Sequence, residues 1–173
     1  MSSEIKANSI QDKTGTRVLA SDSGSAWSWG SGVPAGTVVA TFFNKYSTST
    51  TLSNTGTYND IVTVSCTRVQ SGNKNIITAV VPVYHYTGGS ALGYTIRIRR
   101  TTATASTICD TKIHRQNETN TGEVNNVVLI GEDTSLASTT SYTLQISSNT
   151  ADSYPVFCYE NHQASILVQE IQV

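Results

Sequence analysis

The sequence predicts an all-β protein: an antiparallel β-sandwich of the jelly-roll kind, preceded by a short N-terminal anchoring segment. Three observations predict it. Apolar and polar residues alternate with period two in several windows. Clusters of Gly, Ser and Asn punctuate the chain between those windows. No window sustains the 3.6-residue repeat of an amphipathic helix.

Residues 1–32 stand apart from the rest. Ile5, Ile10 and the pair Val18-Leu19 are scattered among polar residues, too few to bury a core. A Ser/Gly run leads into Trp27-Ser28-Trp29-Gly30, which holds both tryptophans of the chain. Strand alternation puts Trp27 and Trp29 on one face. Two indoles on one face of so small a segment are expected to bury against a partner, so Ile5, Ile10, Trp27 and Trp29 are the candidate attachment residues. Gly32-Val33-Pro34-Ala35-Gly36 reads as a punctuation point, with a hinge at 33–36.

Residues 37–173 read as a head domain of eight to ten strands. Val62, Val64 and Cys66 alternate with Thr63, Ser65 and Thr67. Tyr94, Ile96 and Ile98 alternate with Thr95, Arg97 and Arg99, and Tyr142, Leu144 and Ile146 with Thr143, Gln145 and Ser147. Each pattern gives a strand with one buried face. Two runs, Ile76 to Tyr86 and Val127 to Ile130, are apolar at both parities, which fits a strand at a sandwich centre or a subunit interface. Turns fall at Ser71-Gly72-Asn73, Gly88-Gly89-Ser90, Asn120-Thr121-Gly122 and Ser147-Ser148-Asn149. Thr and Ser make up roughly a quarter of the chain; Thr is β-branched and carries a hydroxyl for the solvent face.

Composition narrows the function. Charged residues are 13% and the net charge is −1, about half the usual charged share. The basic footprint of a nucleic-acid binder is missing, as is the polybasic surface that meets anionic lipid. No apolar run reaches the roughly 18 residues of a membrane span. The start lacks a basic segment followed by an apolar core, so assembly in the cytoplasm is expected. Cys66, Cys109 and Cys158 are far apart and read as small buried hydrophobes in a reducing compartment.

Residue types that carry chemistry do not assemble into a motif. His85, His114 and His162 lie in separate elements without a second ligand at metal-binding spacing. Glu118, Glu123, Glu132 and Asp133 gather loosely, and a glycosidase needs two carboxylates across a sugar site, but a solvated loop accounts for them. There is no nucleophile elbow and no phosphate loop. No catalytic residue, metal or cofactor is expected, and the chain is read as a structural or binding protein. Arg97, Arg99 and Arg100 form the densest basic run; Arg97 and Arg99 share an outward face, suited to cross-strand pairing, a subunit interface or an anionic glycan. Tyr46, Tyr58, Tyr84, Tyr86, Tyr154 and Tyr159 include several at or near strand ends, where an aromatic face suits sugar or protein, and more than half of them are expected to be core or interface residues. Asn117-Glu118-Thr119 matches a glycosylation sequon by chance.

Ile5-Lys6-Ala7-Asn8-Ser9-Ile10-Gln11-Asp12-Lys13-Thr14-Gly15 resembles the opening of bacteriophage tail-fibre and virion-surface proteins. Gly32-Val33-Pro34-Ala35-Gly36-Thr37-Val38 resembles the linker before their heads, and Ser165-Ile166-Leu167-Val168-Gln169-Glu170-Ile171 resembles the last strand of fibre-tip sandwiches. The resemblance touches both ends and the layout. It implies a homotrimer at the virion surface, docked through residues 1–32 onto phage tail or capsid proteins, with the head facing a host-cell glycan or protein. No shaft repeat is present, which narrows the expectation to a short fibre or spike. A capsid decoration or cement protein and a soluble glycan-binding lectin are the alternatives.

Overall fold

The period-two windows become strands in the computed structural model. It describes residues 9–11, 17–22, 26–29, 33–52, 56–69, 71–86, 92–102, 104–115, 122–134, 137–149 and 155–173, with side chains at all but 9–11, 17–22, 26–29, 85, 86, 92, 114, 115, 122, 123 and 161.

Three short strands lie in the N-terminal segment: β1 (Ser9–Gln11), β2 (Arg17–Asp22) and β3 (Ala26–Trp29). They form their own antiparallel sheet in the order β1-β2-β3. Residues 33–36, expected as a hinge, form a hydrogen-bonded turn. Thr37 N–H donates to the Pro34 carbonyl at 3.2 Å, and Gly36 takes φ +87°, which a side chain would resist. Gly36 N–H donates to the Gln172 carbonyl at 2.8 Å and Gln172 N–H to that of Thr37 at 2.9 Å, so the start of the head is tied to its end.

Ten strands follow, at the upper limit read from the sequence: β4 (Val38–Tyr46), β5 (Thr50–Thr51), β6 (Asn59–Thr67), β7 (Lys74–Tyr86), β8 (Leu92–Arg100), β9 (Ser106–Arg115), β10 (Gly122–Asp133), β11 (Thr139–Ser148), β12 (Val156–Phe157) and β13 (Ala164–Ile171). One sheet runs β4-β13-β7-β10, with β12 and β5 continuing it beyond β13. The other runs β6-β11-β8-β9. Every pairing among the described residues is antiparallel. With eight long strands in these two orders the head is a jelly roll, the predicted class. β6 packs over β4 and β13, and β9 over β10.

The alternation holds in the core. Val62, Val64, Cys66, Tyr94, Ile96, Ile98, Tyr142, Leu144 and Ile146 are all buried. They meet Ile77, Ala79, Val81, Ile166 and Val168 of the facing sheet. The sheets approach closely where β9 crosses β10. A Cβ on Gly131 would lie 2.6 Å from Ile108 Cγ2 and 3.1 Å from Cys109 Sγ, so the position takes no side chain.

One residue breaks the ladder. Pro82 sits in mid-β7 and has no N–H to donate. Its carbonyl accepts from Cys158 N–H at 3.0 Å, on the edge shared by β12 and β13. A residue's N–H and C=O face the same edge, so the missing donor faces the point where β12 stops. The chain leaves the sheet there through a 3-10 turn at Tyr159–Asn161, with Cys158 (φ +56°) and Glu160 (φ +50°) in the left-handed region, and rejoins at Ala164.

Candidate functional site

Strand parity gives the head two outward faces of opposite character. On the β6-β11-β8-β9 sheet the outward residues are polar and bonded to one another. Thr63 and Thr143 hydroxyls pair at 2.8 Å, as do Ser65 and Ser141. Arg97 Nε donates to Gln145 Oε1 at 2.8 Å, and Gln145 Nε2 donates to Asp60 Oδ1 at 2.5 Å. The Arg97 guanidinium lies 3.4 Å from the centre of the Tyr58 ring. A cation over an aromatic face is attracted by its quadrupole. The basic run is therefore divided. Arg97 is outward and engaged with Gln145 and Tyr58 rather than with an acid, and Arg100 is buried.

On the β4-β13-β7-β10 sheet the outward face carries large exposed apolar residues among a few uncharged polar ones. Register places Phe43, Leu167, Thr78 and Ile130 in one row across the four strands, and Lys45, Ser165, Val80 and Val128 in the next. Phe43 is 59% exposed, Val128 56% and Ile130 67%. Ile76 and Val80 belong to the same face and are half-buried. The runs that read as apolar at both parities, in β7 and β10, thus put one parity in the core and the other on this face. Phe43 carried no such signal in the sequence.

The two ends of the head also differ. The N-terminal turn, both ends of the Gly36–Gln172 clamp and the connections β6–β7, β8–β9 and β10–β11 lie at one end, the base. The ends of β4, β7, β9 and β11 and the starts of β6, β8, β10 and β13 lie at the other, the apex. At the apex Tyr84 and Tyr159 stack with ring centres 4.3 Å apart and planes 15° from parallel. Tyr46 packs against Phe157 at 6.0 Å. His162 Nδ1 lies 2.6 Å from the Tyr159 carbonyl and is exposed.

The base is held by buried polar groups that bridge the sheets. Arg100 Nη1 donates to both oxygens of Asp133, at 2.7 and 2.9 Å, and both residues are buried. Tyr142 Oη donates to Asp133 Oδ2 at 3.1 Å and accepts from Asn75 Nδ2 at 3.0 Å. Burial, with the Asp133 charge beside it, raises the Tyr142 phenol above its usual range. Glu170 accepts from Asn73 Nδ2 at 2.6 Å and from Val69 N–H at 2.8 Å. Burial and then the Glu170 charge push the Cys66 thiol up to about 12. Burial also raises Cys109 and Cys158, and all three cysteines are free thiols. The crevice beside Glu170, lined by Cys66, Arg68, Asn75, Ala137 and Thr140, has no room for a water.

Of the loosely gathered carboxylates, the two whose side chains are described, Glu132 and Asp133, point to opposite sides of β10. Glu132 turns outward to a surface ion pair with Lys74 at 2.8 Å, while Asp133 turns inward to Arg100. Glu118 lies outside the described residues, as does the Glu123 side chain. Among the described residues no group of three potential metal ligands forms; the side chains of His85 and His114 lie outside them. Of the attachment candidates, Ile5 lies outside the described residues. The backbones of Ile10, Trp27 and Trp29 pair with Leu19, Ser21 and Leu19 in turn, and their side chains lie outside the description, as do those of Tyr86 and Tyr154.

No family model matches this chain, and no curated protein does. Among solved structures it is similar to a xylan-binding domain from Paenibacillus barcinonensis, at 12% identity and a TM-score of 0.30, over 80% of this chain and 97% of that one.

Proposed function

We propose that this chain is a structural protein of the bacteriophage virion surface, a short homotrimeric tail fibre or spike. Residues 1–32 dock it to the particle, and the jelly-roll head faces outward toward a host-cell glycan or protein. The role is one of assembly and contact rather than catalysis.

One observation carries the reading: the head has a polarity. The N-terminal segment joins at the base, where buried ionic groups hold the two sheets together, and the ends of β4, β7, β9 and β11 and the starts of β6, β8, β10 and β13 lie at the apex. This polarity suits a chain that docks by one end and makes contact by the other. The resemblance of the opening, linker and closing stretches to virion-surface proteins points the same way.

The test is a chain lacking residues 1–32, added to particles that lack the endogenous protein. It should fold, stay soluble and fail to join particles, while the full chain joins and is seen by immunogold labelling. Truncated heads that still join particles would overturn the docking role. Labelling on the capsid shell rather than the tail would make the chain a decoration protein. Particles that neither carry the full chain nor need it would remove the virion reading and leave the soluble lectin.

A further inference from the structure

We infer that the outward face of the β4-β13-β7-β10 sheet is the surface on which this chain meets further copies of itself. The inference deepens the oligomeric part of the proposed function and rests on it.

The face is continuous. Phe43, Leu167, Ile130, Val80, Val128 and Ile76 come from all four strands and are neighbours by register. Four strands about 4.8 Å apart are about 19 Å across, and the stretch over which all four pair, Asn75 to Val80 on β7, is about 20 Å long at about 3.4 Å per residue. The projection is then about 400 Å², and a surface covered with side chains exposes more than its projection. That is about half of the roughly 800 Å² each partner gives to a stable interface, before the relief of the side chains is counted.

The chemistry selects a copy over other occupants. The charged side chains described on this face stand at its margins: Lys45 on β4, and Lys74 paired with Glu132 at the base. An apolar centre inside a polar rim is the anatomy of a protein–protein contact. At the centre, on β13 and β7, a sugar would find three uncharged polar side chains, Thr78, Ser165 and Gln169, set apart from one another among apolar groups. A strongly acidic or basic partner would find no complementary field. A second copy finds a largely apolar face like its own, without repulsion, on a chain of net charge −1. The opposite sheet has polar outward groups engaged with one another and offers no such centre.

Light scattering after size exclusion, on the full chain at about 100 µM, tests this. The wild-type mass should be about three times the 18.5 kDa of one chain. Val128→Glu with Ile130→Glu puts two like charges at the centre of the face and should return the mass to a single chain. Thr107→Glu, on the other sheet, should leave the multiple unchanged. If the double variant loses its far-UV β signal, Phe43→Ser with Ile130→Thr takes its place and should raise the dissociation constant at least tenfold. An oligomer that survives these changes with its fold intact overturns the inference and leaves the oligomeric reading standing. A wild-type chain at 18.5 kDa overturns both, and means that the chain's own N-terminal segment or a different protein covers the face.

Discussion

Replacing Asp133 with asparagine tests whether the base of the head is held by a buried charge pair. The amide would keep the shape and one acceptor but remove the negative charge. Arg100 Nη1 would lose one of two charge-assisted bonds, now at 2.7 and 2.9 Å, and its cation would stay buried opposite a neutral group. A hydrogen bond to a charged group contributes about 1.5–3 kcal/mol, and stranding one partner of a buried ion pair costs about 3–5 kcal/mol. Arg100 retains its Nε bond to the Thr104 carbonyl at 3.0 Å, and the Tyr142 hydroxyl can still reach the amide oxygen. The expected loss is therefore about 3–4 kcal/mol, a large share of the roughly 5–15 kcal/mol that holds a domain together. Urea unfolding monitored by far-UV circular dichroism measures it, with an unchanged m-value as the sign that the cost falls on the folded state. The companion variant Arg100→Met with Asp133→Leu removes both charges and should recover most of the loss. A loss below about 1 kcal/mol for Asp133→Asn would equal that of an exposed pair and would refute the buried strut.

Gly131→Ala drives a Cβ to 2.6 Å from Ile108 Cγ2; it should cost about 1–3 kcal/mol, and Ile108→Ala in the same chain should relieve the clash, measured by the same unfolding. The Cys66 thiol keeps its proton to about pH 12 in the folded chain, against an ordinary 9.0. The folded state thus holds a proton that the unfolded chain releases. The stability this supplies is complete below pH 9 and is lost between pH 9 and about 12, by up to about 1.4 kcal/mol per pH unit. Cys66→Ala should make the alkaline decline in the urea midpoint shallower, with the raised Cys109, Cys158 and Tyr142 supplying the remainder, and wild-type Cys66 should resist a thiol reagent at about pH 7 until the chain unfolds. Arg97→Ala removes the stacking on Tyr58 and the bond to Gln145; a loss of about 1–2 kcal/mol is expected, and Arg97→Lys should recover only part of it.

The core was legible wherever polar and apolar residues alternate, even on β11, where the polar residues Thr143, Gln145 and Ser147 are buried too. Val62-Val64-Cys66, Tyr94-Ile96-Ile98 and Tyr142-Leu144-Ile146 announce their burial because Thr, Ser, Arg and Gln stand between them. β7 and β10 were legible as strands but not as to which parity faces the core, since both parities are apolar. The Arg100–Asp133 strut was not legible. Its partners belong to different sheets, 33 residues apart, and in the sequence each sits among residues of like charge. Pro82 could have been read further: a proline within a long strand removes one donor, and the break between β12 and β13 lies on that edge. The outward stripe through Phe43 depends on the order β4-β13-β7-β10, which no local pattern encodes.

The clamp between Gly36 and Gln172 has a mechanical consequence. β4 leaves the base beside the point where β13 ends, and the two run antiparallel from Val38–Ile171 to Tyr46–Ala164. Tension between the N-terminal segment and the apex acts along these strands, while their hydrogen bonds lie across them. The ladder is then loaded in shear, and its bonds must yield together instead of opening one after another from an end. Forced unfolding is governed by the unfolding rate and not by equilibrium stability. A head joined to its segment in this way resists being pulled apart for longer than its equilibrium free energy alone would suggest.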